Sequence, residues 1–271
     1  MPELVSRERP TRDQYEAWVR KLFLQGFSKV IENHYKEAAL ASLRQFEESQ
    51  LWRIVRQNWA ELGDKYYATR PHQLFAEARP PEPVVKSFQS ILDKSFRKNV
   101  LSNDKWPDPP EGGWILPPID WLSRTNDVVR TCIVVKYLDG VEYLCEELQK
   151  LAESVGISCE ADFEAQETGY YAVHLYPKVI VEVNDLNYQS QEITITPEIQ
   201  IRTQLQDLVA PLTHPMYVRR RSHVEQSGSL KWQWQYRSLD FKLNYLTHTL
   251  HYVDGLMVEL VDALAKEGKS D

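Results

Sequence analysis

Cysteine is scarce: Cys132, Cys145 and Cys159 are the three residues of that type, and they are widely spaced. The spacing offers no CxxC metal pair and no disulfide framework, so a reducing cytoplasm is the expected setting. Long apolar runs are missing too. The start, MPELVSRERPTRDQ, is largely polar with no apolar run, so neither a secretion signal nor a membrane span is expected. A basic excess is absent. The net charge is -7, which argues against nucleic-acid binding by bulk charge and leaves room for a local basic patch. Internal repeats and low-complexity tracts are likewise lacking. What remains is an ordinary globular composition, 42% apolar and 26% charged, in 271 residues, enough for one large or two small domains.

Periodicity divides the chain. Residues 1–80 read as a helical region. Thr11 and Gln14 have capping-box spacing, and Tyr15, Trp18, Val19, Leu22, Phe23, Phe27, Val30 and Ile31 follow at helical intervals. A second helix is expected to gather Leu40, Leu43, Trp52, Val55, Trp59 and Leu62 on one side. ARPPEP, 78–83, marks a boundary. VVKSFQSILDKSFRKN reads as a helix with Lys86, Ser90 and Lys94 at i, i+4 and i+8, spanning about 12 Å. A proline-rich loop follows at 106–118. VRTCIVVKYL reads as a strand, Asp139–Gly140 as a turn, and VEYLCEELQKLAESVG as a helix. YYAVHLYPKVIVEV and QEITITPEIQIRT read as two more strands. QLQDLVAPLTHPMY and the closing SLDFKLNYLTHTLHYVDGLMVELVDALAKE read as helices. The expected fold is α+β, a mixed sheet flanked by N- and C-terminal helices. Residues 84–225 would be the core, and 226–271 a helical extension packed on it.

The polar residues of this sheet suggest chemistry. In PEIQIRTQLQD, Glu198, Gln200 and Arg202 alternate with Ile199 and Ile201, so the two sets face opposite ways. A solvated sheet face is the plain explanation. Tyr170, Ala172 and His174 share a face in the same manner. Asp127 precedes another strand, with Arg130 three residues on. Two carboxylates able to share Mg²⁺, together with cations, are what phosphoryl transfer requires. Such chemistry needs positioning and charge neutralisation and no Ser or Cys nucleophile.

These pieces also carry a resemblance. KSFQSILDK, NDVVRTCIVV, GYYAVH and EIQIRT, in the right chain order, resemble the synthetase domain of RelA/SpoT-type small alarmone synthetases over about Lys86 to Tyr217. That family moves pyrophosphate from ATP to the 3′-hydroxyl of a guanine nucleotide with Mg²⁺. The resemblance implies that Asp127 binds the metal and that Glu198 helps hold it or activates the acceptor hydroxyl. It implies that Lys86, Ser90 and Lys94 hold ATP phosphates, that Tyr170 stacks on the acceptor base with Gln200 in support, and that Arg130, His174 and Arg202 steady phosphates.

The chain departs from the family pattern at Val84, Cys132, Gln166, Thr168 and Ala172, mostly on the acceptor side. No His-Asp dipeptide occurs in the first 80 residues, so the family's hydrolase is not expected. An adenine nucleotide is a second acceptor class. Some small relatives are toxins paired with an antitoxin, and some modify the tRNA 3′ CCA end. For tRNA, Arg219, Arg220 and Arg221, near WQWQY, are the basic-aromatic candidates. A non-catalytic nucleotide- or partner-binding module is the contrasting class, and a homo-oligomer is a further expectation. His248, His251 and Asp254 lie at helical spacing as a candidate metal face, against core or interface histidines.

Overall fold

A computed structural model describes residues 8–22, 29–117, 119–222 and 231–267; the side chains of 22, 214 and 216–222 lie outside the described set. Four helices open the chain: α1 (Arg12–Leu22), α2 (Lys29–Glu48), α3 (Gln50–Gln57) and α4 (Trp59–Thr69). The capping box at the start of α1 forms in both directions. The Gln14 N–H donates to Thr11 Oγ1 at 3.4 Å, and the Thr11 N–H donates to Gln14 Oε1 at 2.9 Å. Then come β1 (Val84–Val85), α5 (Phe88–Phe96) running into a π-helical turn at Arg97–Leu101, α6 (Ile119–Ser123), β2 (Val129–Val135), α7 (Leu138–Ser154) and β3 (Cys159–Ala165). The second half holds β4 (Tyr171–Pro177), β5 (Val179–Asn184), β6 (Ser190–Ile195), β7 (Glu198–Thr203), α8 (Gln204–Ser222), a 3-10 turn at Trp232–Trp234, and α9 (Leu239–Glu267).

The expected α+β class is what forms: a mixed five-stranded sheet in the order β1-β2-β7-β4-β3, a separate β5-β6 ribbon, and flanking helices. The chain divides into two compact units, Met1–Arg53 with Glu82–Thr131 and Tyr176–Glu198, and Ile54–Pro81 with Cys132–Leu175 and Ile199–Asp271. In the first unit, Tyr15 of α1 meets Phe96 of α5 with ring centroids 5.3 Å apart, and Tyr35 of α2 meets Trp121 edge-on. α2 covers the ribbon, where Gln45 bonds the backbone of Glu182 through both its amide groups. In the second, Trp59 stacks on Phe75 at 3.7 Å, and α7 buries Val141, Leu144 and Leu148.

Several expectations are corrected. Each of the two long β runs breaks in two, at Lys178 and at Thr196–Pro197, because the alternation continues across the break and hides it. Their halves serve different sheets, and β3 adds a strand not foreseen. Leu40 points outward at 44% exposure, while Ser42 is buried and satisfied by donating to Ala38 O. Asp139 and Gly140 lie inside the first turn of α7 rather than ahead of it. Lys86 is not on a helix. Ser87 has extended backbone and caps α5, accepting from the Ser90 N–H, so Lys86 precedes the helix that carries Ser90 and Lys94.

Candidate functional site

The first unit gathers two of the expected residues, Lys86 and Lys94, around the carboxylate of a third, Asp127. Lys86 Nζ donates to Asp127 Oδ2 at 2.7 Å, and Lys94 Nζ donates to Asp127 Oδ1 at 2.9 Å. The shared helix face expected for the lysines is replaced by convergence from two elements. β1 pairs with β2, matching Val85 with Val129, and the Lys86 N–H continues that ladder to Val128 O at 2.8 Å. Tyr35 fixes Lys86 from the other side by donating to its carbonyl at 2.8 Å. Lys94, on the last turn of α5, also donates to Asn126 O. Both anchors therefore act on the residues flanking Asp127.

Asp127 sits at φ 74, in the left-handed region that a non-glycine residue enters at a cost. Its N–H reaches Thr196 O at 3.4 Å, which ties it to the segment two residues before Glu198. Burial opposes ionisation of Asp127, but the Lys94 and Lys86 ammonium groups outweigh it and hold the carboxyl below the usual range. Burial likewise pulls the Lys86 ammonium below the usual lysine range against the pull of Asp127. Glu198, 7% exposed, accepts from Tyr176 Oη at 3.5 Å. Arg130 is exposed on β2, opposite Val84 in the ladder. Ser90 is exposed, and its hydroxyl bonds Ser87 Oγ at 2.8 Å.

The second unit gathers another set. β4 and β7 pair antiparallel with His174 opposite Gln200, so these two share a face. Tyr170 Oη lies 2.9 Å from His174 Nε2. Ile199 and Ile201 are buried behind this face, at 1% and 0% exposure, as the alternation requires. The polar face is half-buried rather than solvated. Arg202 bonds Asp207, in the first turn of α8, at 2.5 Å. Tyr35 and Tyr176 are the site neighbours that sequence reasoning missed. Tyr176 continues the Tyr170, Ala172, His174 alternation, so period two could have found it. Tyr35 carried no local signal.

The remaining candidates fall differently. Among the described residues, no group of three or more His, Cys, Asp or Glu is placed to hold a metal ion, so the His248, His251, Asp254 metal face is set aside. His248 bonds Tyr171 Oη and Glu167 O, His251 stacks on Tyr171 at 3.6 Å, and Asp254 accepts from Thr203 Oγ1. These are packing roles. Arg219, Arg220 and Arg221 lie outside the residues whose side chains are described; Trp234 nearby is exposed. Among the described residues, no helix is long and apolar enough to cross a membrane.

Asp127 and Glu198 are buried oxygen donors. Mg²⁺ is commonly held by one or two carboxylates together with substrate phosphates, so by donor chemistry these two residues suit it once the lysine ammonium groups leave the oxygens of Asp127.

No protein-family model and no curated protein sequence matches this chain. Solved structures do. The small alarmone synthetase 1 from Bacillus subtilis, bound to its product pppGpp, superposes with a TM-score of 0.54 at 18% identity, covering 84% of this chain and 97% of that one. The small alarmone synthetase 2 from the same organism gives 0.48 at 18% identity, over 78% and 93% of the two chains. A GTP pyrophosphokinase family protein from Streptococcus pneumoniae gives 0.48 at 15%, over 84% and 98%. The first of these likenesses establishes the class of fold: this chain has the small alarmone synthetase fold.

Proposed function

We propose that this protein transfers pyrophosphate from ATP to the 3′-hydroxyl of a guanine or adenine nucleotide, with Mg²⁺. The observation that carries the reading is the Lys86–Asp127–Lys94 cluster, a buried acid in a strained backbone conformation with an ammonium on each oxygen. A purely structural role would be met as well by apolar packing, which is often the more stable choice. Active sites are where such strain and perturbed charges collect. The fold shared with a synthetase whose crystal holds pppGpp supports the same reading.

The chemistry follows from the groups present. The acceptor 3′-oxygen attacks the β-phosphorus of ATP, the bond from that phosphorus to the α–β bridging oxygen breaks, and AMP leaves. The Glu198 carboxylate takes the hydroxyl proton. Lys86 and Lys94 exchange their carboxylate partner for ATP phosphates, with the Ser90 hydroxyl beside them, which frees the oxygens of Asp127. Asp127 and Glu198 would hold Mg²⁺, which when bound neutralises charge on the transferring phosphates. Tyr170 stacks on the acceptor base, held by His174, and Gln200 lies opposite His174. Arg130 and Arg202 supply positive charge toward phosphates.

The test is purified protein with labelled ATP and Mg²⁺, offered GDP, GTP, AMP or tRNA in separate reactions. Label in a nucleotide product supports the proposal. Label only in tRNA replaces it with the tRNA-end reading, for which the basic run Arg219 to Arg221 is the candidate contact. No transfer to any acceptor leaves a binding module.

A further inference from the structure

α9 turns polar residues inward: its fully buried residues are Asn244, Thr247 and Asp254. Two bonds tie it to the end of β7 and the start of α8. Thr203 Oγ1 donates to Asp254, and Gln206 Nε2 donates to Thr247 O. Its other polar contacts converge on one hairpin. β3 and β4 are joined through Glu167, Thr168 and Gly169. The Gly169 N–H donates to Gln166 O at 2.8 Å, and the Gln166 N–H donates to Tyr170 O at 3.0 Å. With Gly169 at φ 84, this is a three-residue hairpin loop closed by a left-handed residue. Tyr170 is the first residue after it.

A hairpin tip normally turns its carbonyls to water. Here α9 takes two of them. His248 Nε2 lies 3.0 Å from Glu167 O, and Thr247 Oγ1 lies 3.3 Å from Thr168 O. The Thr247 hydroxyl also lies 2.8 Å from Asn244 O, so its one proton is shared and its tie to the loop is the weaker of the two. Shape reinforces it. A Cβ on Gly169 would stand 2.0 Å from Thr247 Oγ1 and 3.0 Å from Asn244 O, so the loop rests directly on the helix and only glycine fits. A carbonyl only accepts, so His248 Nε2 carries a hydrogen. In the neutral ring Nδ1 then accepts from Tyr171 Oη at 2.7 Å. One imidazole therefore grips the chain on both sides of Tyr170, and His251 stacks on Tyr171 at 3.6 Å behind it. Tyr170 itself reaches the other face, where its hydroxyl meets His174.

We infer that Thr247 and His248 are positioning residues for the acceptor: by fixing the 167–169 loop and Tyr171, α9 fixes the ring on which the acceptor base stacks. The inference rests on the acceptor role proposed for Tyr170. A stacking platform that is already ordered loses less freedom when the base arrives, so acceptor affinity is where its support is felt. Packing alone makes a different pattern, a loss of stability that treats both substrates alike.

The test uses the full chain in two assays, transfer kinetics with whichever of GDP, GTP, AMP or tRNA the wild type accepts, and calorimetric titration of GDP and of AMP without ATP. His248→Ala should raise KM and Kd for the acceptor about tenfold, the size of one good hydrogen bond, with KM for ATP unchanged. His248→Gln offers a donor and an acceptor again and should return most of that loss. Thr247→Val, which keeps the shape, should raise the acceptor constants about threefold. Equal rises for ATP and acceptor, a fall in melting temperature without any change in acceptor constants, or a His248→Gln variant no better than His248→Ala would each overturn the inference and leave α9 a packing helix. A wild type that binds GDP or AMP without transferring to it would sink the transferase reading alone, and the titrations would still decide the role of α9. A wild type that neither binds nor transfers to any acceptor would sink both.

Discussion

Among the described residues two aspartates are buried, and their surroundings could hardly differ more. Asp127 has an ammonium on each oxygen and a backbone N–H reaching Thr196. Asp254 has a single hydroxyl, that of Thr203, on Oδ2, and its Oδ1 has no hydrogen-bond partner. Burial raises the Asp254 carboxyl to about 6, with the Thr203 hydrogen bond opposing. The same burial fails to raise Asp127, because Lys94 and Lys86 outweigh it. Depth in the fold does not make an acid functional. The charges placed around it matter more: two ammonium groups keep Asp127 ionised, as the proposed phosphate chemistry would need, while Asp254 bonds only the Thr203 hydroxyl and ties α9 to β7.

The largest expected effect would break that contrast at Asp127. Asp127→Asn should lower pyrophosphate transfer by about a thousandfold or more, by analogy with loss of a preorganised electrostatic group. It should also cost about 3 kcal/mol of stability, since Lys86 and Lys94 stay buried without their counter-charge. Product formation and thermal melts on one preparation check both, and transfer at the wild-type rate would remove Asp127 from the mechanism. Glu198→Gln should reduce transfer comparably with little change in melting temperature, because Gln keeps an acceptor for Tyr176.

Next comes the lysine pair. Lys94→Met should raise KM for ATP by roughly ten- to a hundredfold, as expected for loss of one charge-assisted phosphate contact of about 1.5–3 kcal/mol. Its KM for the acceptor should stay nearly constant. Equal rises for both substrates would mean that Lys94 supports Asp127 without touching ATP.

The smallest effect separates the two acids by pH. A carboxyl held below its unfolded value adds stability that is present at neutral pH and fades as acid is added. One raised above it binds an extra proton in the folded state, so its contribution falls as pH rises from about 4 to 6. Asp254→Asn should therefore gain on the wild type by on the order of 2 kcal/mol between pH 4 and 7. Asp127→Asn should show the reverse, its deficit narrowing below pH 4. Urea titrations across that range decide it, and parallel curves for the two variants would erase the distinction.

Much of this was readable from residue order. Period two placed Ile199 and Ile201 in the core and put Gln200 and Arg202 on the other face. The Thr11–Gln14 box followed from capping spacing, and α7 and α9 from helical periodicity, although α7 starts before the expected turn. Other parts were hidden for physical reasons. Lys86, Ser90 and Lys94 have helical intervals whether or not Lys86 is helical, and the cap at Ser87 shows only in backbone angles. The runs around Lys178 and Pro197 alternate straight through their breaks. That Asp127 takes both lysines depends on β1 lying beside β2, a long-range pairing that no local pattern records. The buried side of α9 ran against hydropathy altogether, since polar residues are rarely the ones a helix hides.

That last helix has a practical consequence for anyone shortening the protein. Deleting α9 would remove a helix that packs on α8 and α7. It would remove the partners that α9 gives Thr203, Gln206, Thr168 and Tyr171. The turn leading to Tyr170 should therefore slacken in the truncated chain, because Thr247 bonds Thr168 O there.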